Sequence, residues 1–393
     1  MTKEKKNLLA ISTLIQMIFT FFEIFFSIYV YDISKNLNII ICYTIINAFV
    51  FCLGVLILYK FLSKKVLSNL YKLSFLMGLI CIALTFTINT DRIYMIFITQ
   101  ALLKITHIFY YLPHEVATMN TNNKSQMGKF LGISSTLSLI SGFLSPFISG
   151  FIIDYASYYI IFSILIVLAI ICFILSFNVK IIKEDTSKYG LKNFIYQSHK
   201  IKGVKTGYIA HLFYKLSSDG LATSFLALLI FLKTGTNFSV GLYSALASIV
   251  SGFALIIYCY YSKNKKRAMI INTILQVAVS FSIIIFNSIV VFFIYYFIKK
   301  ITSKIISNGT NSTIFSIVHN TELEQCKIEN FYVYNFYHHI GTVIACLIGL
   351  VIYNVINSII SITILLAILS LAQVVSTILL NKSDKLLAEN TSL

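Results

Sequence analysis

The chain has 393 residues, of which 58% are hydrophobic and 11% charged, and it carries a formal net charge of +17. About a quarter of a soluble domain's residues are charged, so this composition does not cover a water-facing surface and reads as a membrane protein. The basic excess is scattered over short segments between apolar runs, which sets aside a nucleic-acid partner and points instead to membrane topology.

The opening residues, MTKEKKNLL, place lysines before a long apolar run with no small-residue cleavage site. They read as a cytoplasmic tail leading into a first span rather than as a removable signal. A bilayer core takes about 20 apolar residues per helix, and on that measure about twelve spans follow. The first six run over roughly 8–31, 39–59, 70–88, 93–112, 131–153 and 158–179. The second six run over roughly 206–232, 238–261, 268–286, 288–307, 331–353 and 357–380. This gives an all-α polytopic protein in two six-helix halves, 1–180 and 206–393, joined by a lysine-rich cytoplasmic linker at 181–205. The linker is a solvated connection, or carries a helix lying on anionic membrane lipid.

Basic residues fix the expected orientation. With the N-terminus inside, the inner segments hold Lys3, Lys5, Lys6, Lys60, Lys64, Lys65, Lys124, Lys129, Lys263, Lys265, Lys266, Arg267, Lys327, Lys382 and Lys385 as well as the linker. The outer loops hold only Lys35, Arg92 and Lys233. Such an asymmetry places both termini in the cytoplasm and the chain in the cytoplasmic membrane.

The charges inside spans are the most informative feature, because each costs about 2.5–3.5 kcal/mol on insertion scales and is kept where it faces a cavity or a partner. They gather in spans 1, 4, 7 and 10: Glu23; Lys104 with His107; His211, Lys215 and Asp219; Lys299, Lys300 and Lys304. One span in three therefore lines a wet path. On a helix His211, Lys215, Asp219 and Thr223 form one stripe, and Gln100, Lys104, His107 and Tyr111 another. Adjacent Lys299 and Lys300 point about 100° apart, so one of them reaches the cavity. A faint repeat between ALLKITH in span 4 and YFIKKITS in span 10 favours Lys300. Span 11 adds His338 and His339. The seven cysteines show no metal-ligand or CxxC spacing and read as small buried hydrophobes.

The fifth span is unusual. In the stretch SLISGFLSPFISGFIID, Ser141, Gly142, Ser145, Pro146, Ser149 and Gly150 recur at helical spacing, and Pro146 is one of only 2 prolines. Small residues let helices approach closely in lipid, and proline bends a helix. The small face of YSALASIVSGFA in span 8 is the expected partner.

Twelve spans in two sixes, a basic central linker and charges on every third span together resemble the major facilitator superfamily over essentially the whole chain. Its antiporters carry a fifth-span motif of small residues around a Gly-Pro pair. Here Ser141, Ser145, Pro146, Ser149 and Gly150 fall on the small and proline positions, with serine partly replacing glycine. A second family motif follows span 2, where a glycine and an aspartate precede a basic-glycine-basic cluster. This chain reads LYKFLSKKVLSN, keeping Lys64 and Lys65 without the aspartate.

The resemblance implies a secondary transporter working by alternating access, with proton-coupled export as the leading reading. Glu23 and Asp219 are the candidate proton carriers. Gln100, Lys104, His107, Tyr111, His211, Lys215, Thr223 and Lys300 are the candidate cavity residues. Lysines outnumber acids there, which favours an anionic or zwitterionic small-molecule solute. Uptake by symport in the same fold, and a non-transporting receptor or assembly partner, are the alternatives. No HExxH-like metal spacing and no acyl- or phosphoryl-transfer constellation occurs, so no enzyme, cofactor or metal is expected. A monomer suffices.

Overall fold

The computed structural model describes residues 2–59, 64–121, 124–179, 190–218, 220–261, 265–286, 288–319 and 326–391. Among them the regular structure is helical apart from turns. The helices are α1 (Lys3–Ser34), α2 (Leu37–Tyr59), α3 (Lys64–Thr85), α4 (Tyr94–Thr121), α5 (Lys124–Tyr155), α6 (Tyr158–Ser176) and α7 (Gly190–Lys200). There follow α8 (Lys202–Ser218), α9 (Leu221–Thr234), α10 (Asn237–Tyr261), α11 (Lys265–Phe286), α12 (Ile289–His319), α13 (Lys327–Ile356) and α14 (Ile360–Thr391).

Among the described residues eleven spans are long and apolar enough to cross a bilayer, with 202–234 counted as one. The exception among the expected twelve is α12. It has 31 residues, length enough to cross, but Lys299, Lys300 and Lys304 interrupt its apolar run. The α6 helix shows what the surroundings are. Ile161, Phe162, Leu165, Ala169, Cys172 and Ser176 form its buried stripe. Its other side is apolar too, with Val167 54% and Ile174 59% exposed. A helix apolar all round belongs in lipid.

Helix ends are closed locally. Thr2 caps α1 by accepting from the amide of Lys5, and Ser157 caps α6 by accepting from the amide of Ile160. Lys35 ends α1 in the left-handed conformation, φ 48°, its N–H bonded to Tyr31 O at 2.7 Å.

The chain forms two compact units. The first comprises residues 1–184 and 224–249. In it α1 packs on α5, α6 and α2, while α3 packs on α4 and α6. Its interior is aromatic: Phe162 sits 5.8 Å from Phe21 and 5.3 Å from Tyr29, both edge-on. Each such pair adds about 0.5–1.5 kcal/mol beyond area burial. The second unit comprises residues 185–223 and 250–393. There α8 packs on α14 and α13, and α11 on α14 and α12.

The expected seventh span is not one continuous helix. It breaks between α8 and α9, where Gly220 takes φ +54°. That conformation is left-handed and incompatible with helix continuation. The expected stripe of His211, Lys215, Asp219 and Thr223 therefore does not exist as a single face: Thr223 stands on a different helix from His211 and Lys215. Asp219 lies outside the described residues.

Candidate functional site

In the first unit, α4 carries its polar residues along one face. Gln100 is buried and accepts a hydrogen bond from Asn47 Nδ2 of α2 at 2.8 Å. One turn on, the Lys104 ammonium stands 5.3 Å from the Phe51 ring centroid, within cation–π range. One further turn on, His107 packs edge-on to Phe19 of α1 at 4.8 Å and lies 5.5 Å from Tyr111. Lys104, His107 and Tyr111 are all half-buried. Glu23 lies one turn beyond Phe19 on α1, hence on the same side, and is exposed between buried Phe22 and Ile24. The structure thus sets Lys104 and His107 against aromatic rings from two other helices, with Gln100 and Tyr111 a turn away along α4 and an acid on the adjoining helix face. Such a surface offers a cation, a hydrogen-bonding amide, an imidazole and flat apolar walls.

The fifth-span small residues meet α10 in antiparallel register within the same unit. A methyl at Gly142 would touch Ser248 at 3.8 Å. A methyl at Gly241 would collide with the Pro146 carbonyl, and one at Gly150 would lie 2.5 Å from Asn237 O. Backbone therefore runs against backbone along half of this seam. The other side of α5 holds α1: Ser145 Oγ donates to Met17 O at 3.0 Å and Gln16 Nε2 to Ser138 O at 3.4 Å. Ser141 bonds back to Leu137 O at 2.9 Å and Ser149 is buried. Pro146 stays inside the helix. Lys64 and Lys65 open α3, their side chains lying outside the described part of the structure.

Asp154, which the sequence did not single out, ends the seam. Its Oδ1 accepts from the backbone and side-chain amides of Asn237, each at 3.0 Å. Its Oδ2 accepts from the amide of Phe238 at 2.7 Å. Tyr158 completes the set by donating to Asn237 Oδ1 at 3.0 Å. A carboxylate from α5 thus satisfies the first two orphan amides of α10, and Thr236 Oγ1 the third, that of Ser239, at 3.2 Å.

In the second unit, buried His211 stacks on Tyr334 of α13 with centroids 3.8 Å apart. His338 lies 5.8 Å from His211 and stacks on His339 at 4.4 Å. Lys215 is half-buried, its ammonium 5.3 Å from the Tyr214 centroid. The lysine pair on α12 divides: Lys300 is half-buried over Tyr296, whereas Lys299 is 2% exposed inside the unit. Lys304 is exposed. Among the described residues no group of three or more His, Cys, Asp or Glu is placed to hold a metal ion.

A family model described as Major Facilitator Superfamily matches residues 7–322. A search of curated proteins by sequence finds no match. Among solved structures, a point mutant of the nucleoside transporter NupG aligns with TM-score 0.69 at 13% identity, over 97% of this chain and 100% of its own. A bacterial metal transporter aligns with TM-score 0.65 at 12% identity, over 98% of this chain and 99% of its own. A bacterial homologue of the human lysosomal transporter Spinster, inward-facing and unoccupied, aligns with TM-score 0.63 at 11% identity, over 100% and 98%. At such identities these likenesses concern the fold. With the family model covering most of the sequence, the chain belongs to the Major Facilitator Superfamily and is a multi-pass membrane protein of the secondary-transporter class.

Proposed function

We propose that this transporter exports a small anionic or zwitterionic solute across the cytoplasmic membrane by alternating access, in exchange for protons, with both its termini inside. The observation that carries the substrate class is the α4 surface, where Lys104 stands among Phe51, His107 and Gln100. Lys215 and Lys300 add two more half-buried cations in the other unit. A cation kept inside a span is costly unless it serves a pathway or a partner, and three of them favour negative charge on the cargo. The solved neighbours include carriers named for a nucleoside and for a metal. Their cargoes differ in charge, so the class proposed here rests on this chain's own side chains. Exchange with protons rests on Glu23 and Asp219 as carriers, and the export direction on the small-residue and proline pattern of α5.

The test uses sealed vesicles containing the protein, an imposed pH gradient and a dye reporting its collapse. Pools of anionic, zwitterionic and cationic solutes are added in turn. The expected result is collapse with an anionic or zwitterionic pool, lost in a Lys104→Gln, Lys300→Gln double variant. Collapse by organic cations alone, surviving in that variant, overturns the substrate class.

A further inference from the structure

The interruption of the seventh span creates a local electrostatic problem. The end of α8 presents carbonyls that no following turn of the same helix satisfies, and about half a negative charge collects there. Inside a bilayer such groups need partners from the protein itself. The partner is Lys299. Its ammonium donates to Ser217 O at 3.0 Å and to the Tyr295 hydroxyl at 3.4 Å. The Ser217 hydroxyl in turn bonds to Tyr214 O at 2.8 Å and to the Gln373 side-chain carbonyl. One buried lysine thus ties α12 to the end of α8, and through Ser217 to α14. No carboxylate among the described residues lies within ion-pair distance of it.

We infer that Lys299 is a resident cation that holds the interruption of the seventh span. In transporters with discontinuous helices, the carbonyl ends of half-helices coordinate a coupling ion such as sodium. Here a tethered ammonium fills that place. The chain therefore needs no metal cation at this end, and α8 cannot move past α12 without breaking the contact between Lys299 and Ser217. The neighbouring Lys300 does a different job: it is half-buried over Tyr296, 5.8 Å from the ring centroid. Adjacent lysines on one helix are split between an internal clamp and a more open surface, as their roughly 100° offset requires.

The experiment is hydrogen–deuterium exchange of the full chain in lipid nanodiscs, read by mass spectrometry, in sodium-free potassium buffer and again with sodium. Wild type is compared with Lys299→Met, Lys299→Gln and Lys299→Arg. In the Met and Gln variants exchange over 212–226 rises about tenfold or more, a large step in local opening, while peptides from α1 to α6 stay unchanged. Arg restores protection, and sodium leaves the wild type unaltered. A Gln variant protected like wild type overturns the inference, because a neutral hydrogen bond then suffices. Sodium-dependent protection of wild type in 212–226 overturns it as well, because the place is then not already filled. If the Met variant does not fold, the Gln and Arg variants and the sodium comparison decide. The readout uses no solute, so its failure is distinct from a failure of the proposed transport.

Discussion

Asp154 and Phe238 are joined by a 2.7 Å hydrogen bond from the Phe238 amide to the Asp154 carboxylate, so one helix holds the first amides of another 84 residues away, beside the local cap in which Thr236 Oγ1 accepts from the Ser239 amide. The same carboxylate takes both amides of Asn237. Loss of a side-chain acceptor at a helix start costs about 0.5–2 kcal/mol, and here it also removes a tie between α5 and α10. Asp154→Ala is expected to lower the melting temperature in nanodiscs by a few degrees. Asp154→Asn, which keeps one acceptor, recovers part of the loss. Equal melting of wild type and the Ala variant would show that the contact adds nothing to stability.

The glycines of the same seam differ sharply in how much room they have. An added methyl at Gly142 meets Ser248 at an ordinary 3.8 Å, whereas one at Gly150 lies 2.5 Å from the Asn237 carbonyl. Overpacking a tight contact typically costs about 1–3 kcal/mol. Gly142→Ala is expected to melt with the wild type, and Gly150→Ala or Gly241→Ala well below it. Cross-linking a cysteine pair at 142 and 248 provides a second reading, since a forced separation of the helices reduces its yield in the Gly150 variant. Equal tolerance at all three glycines would contradict the close approach.

Much of this seam could be read from sequence, because small residues four apart can only share one helix face. Hydropathy likewise marks the spans, except that Lys299, Lys300 and Lys304 interrupt the apolar run of α12. Two features depart from that reading. The register of α5 on α10 is set by Asp154 and Asn237, 83 residues apart, and neither residue type nor local spacing announces such a pair. As a result the contact runs over Asn237 and Gly241 and meets the expected 243–254 stretch at Ser248. The interruption at Gly220 had a local signal, the run SSDG at 217–220, since Asp-Gly favours turns. The high apolar content on both sides and the four-residue spacing of His211, Lys215 and Asp219 point the other way, to an unbroken helix. The burial of Lys299 rather than Lys300 follows from that break, because only an interrupted α8 presents a carbonyl end for an ammonium to occupy.

Gln276 of α11 offers a test of how polar groups are used inside the second unit. Thr273 and Thr377 share a 2.9 Å hydrogen bond, and Ser280 and Ser370 one of 2.7 Å, which places Gln276 between two hydroxyl pairs on the antiparallel α11–α14 seam. The Gln276 side chain is fully buried, and neither its oxygen nor its nitrogen has a protein partner. A buried polar group left without partners costs about 1–3 kcal/mol. Gln276→Met, similar in volume, is therefore expected to raise the melting temperature. A fall instead would mean that the amide is satisfied by bound water and is part of the seam's hydrogen bonding.

Glu23 separates coupling from binding. It is exposed in the middle of α1, one turn from the Phe19 ring that packs on His107. As proton carrier it has to change charge as the transporter cycles, and glutamine fixes it in a form resembling the protonated acid. With the first solute that collapses the pH gradient, Glu23→Gln is expected to abolish gradient-driven accumulation while exchange of labelled for unlabelled solute continues. Loss of both activities would assign Glu23 to solute binding or to packing rather than to the proton. Retention of both at the wild-type rate would remove it from the cycle and leave Asp219 as the remaining acid to test by the same pair of assays. The two assays share the same vesicles and solute, so leakage or poor insertion affects both and is not mistaken for uncoupling.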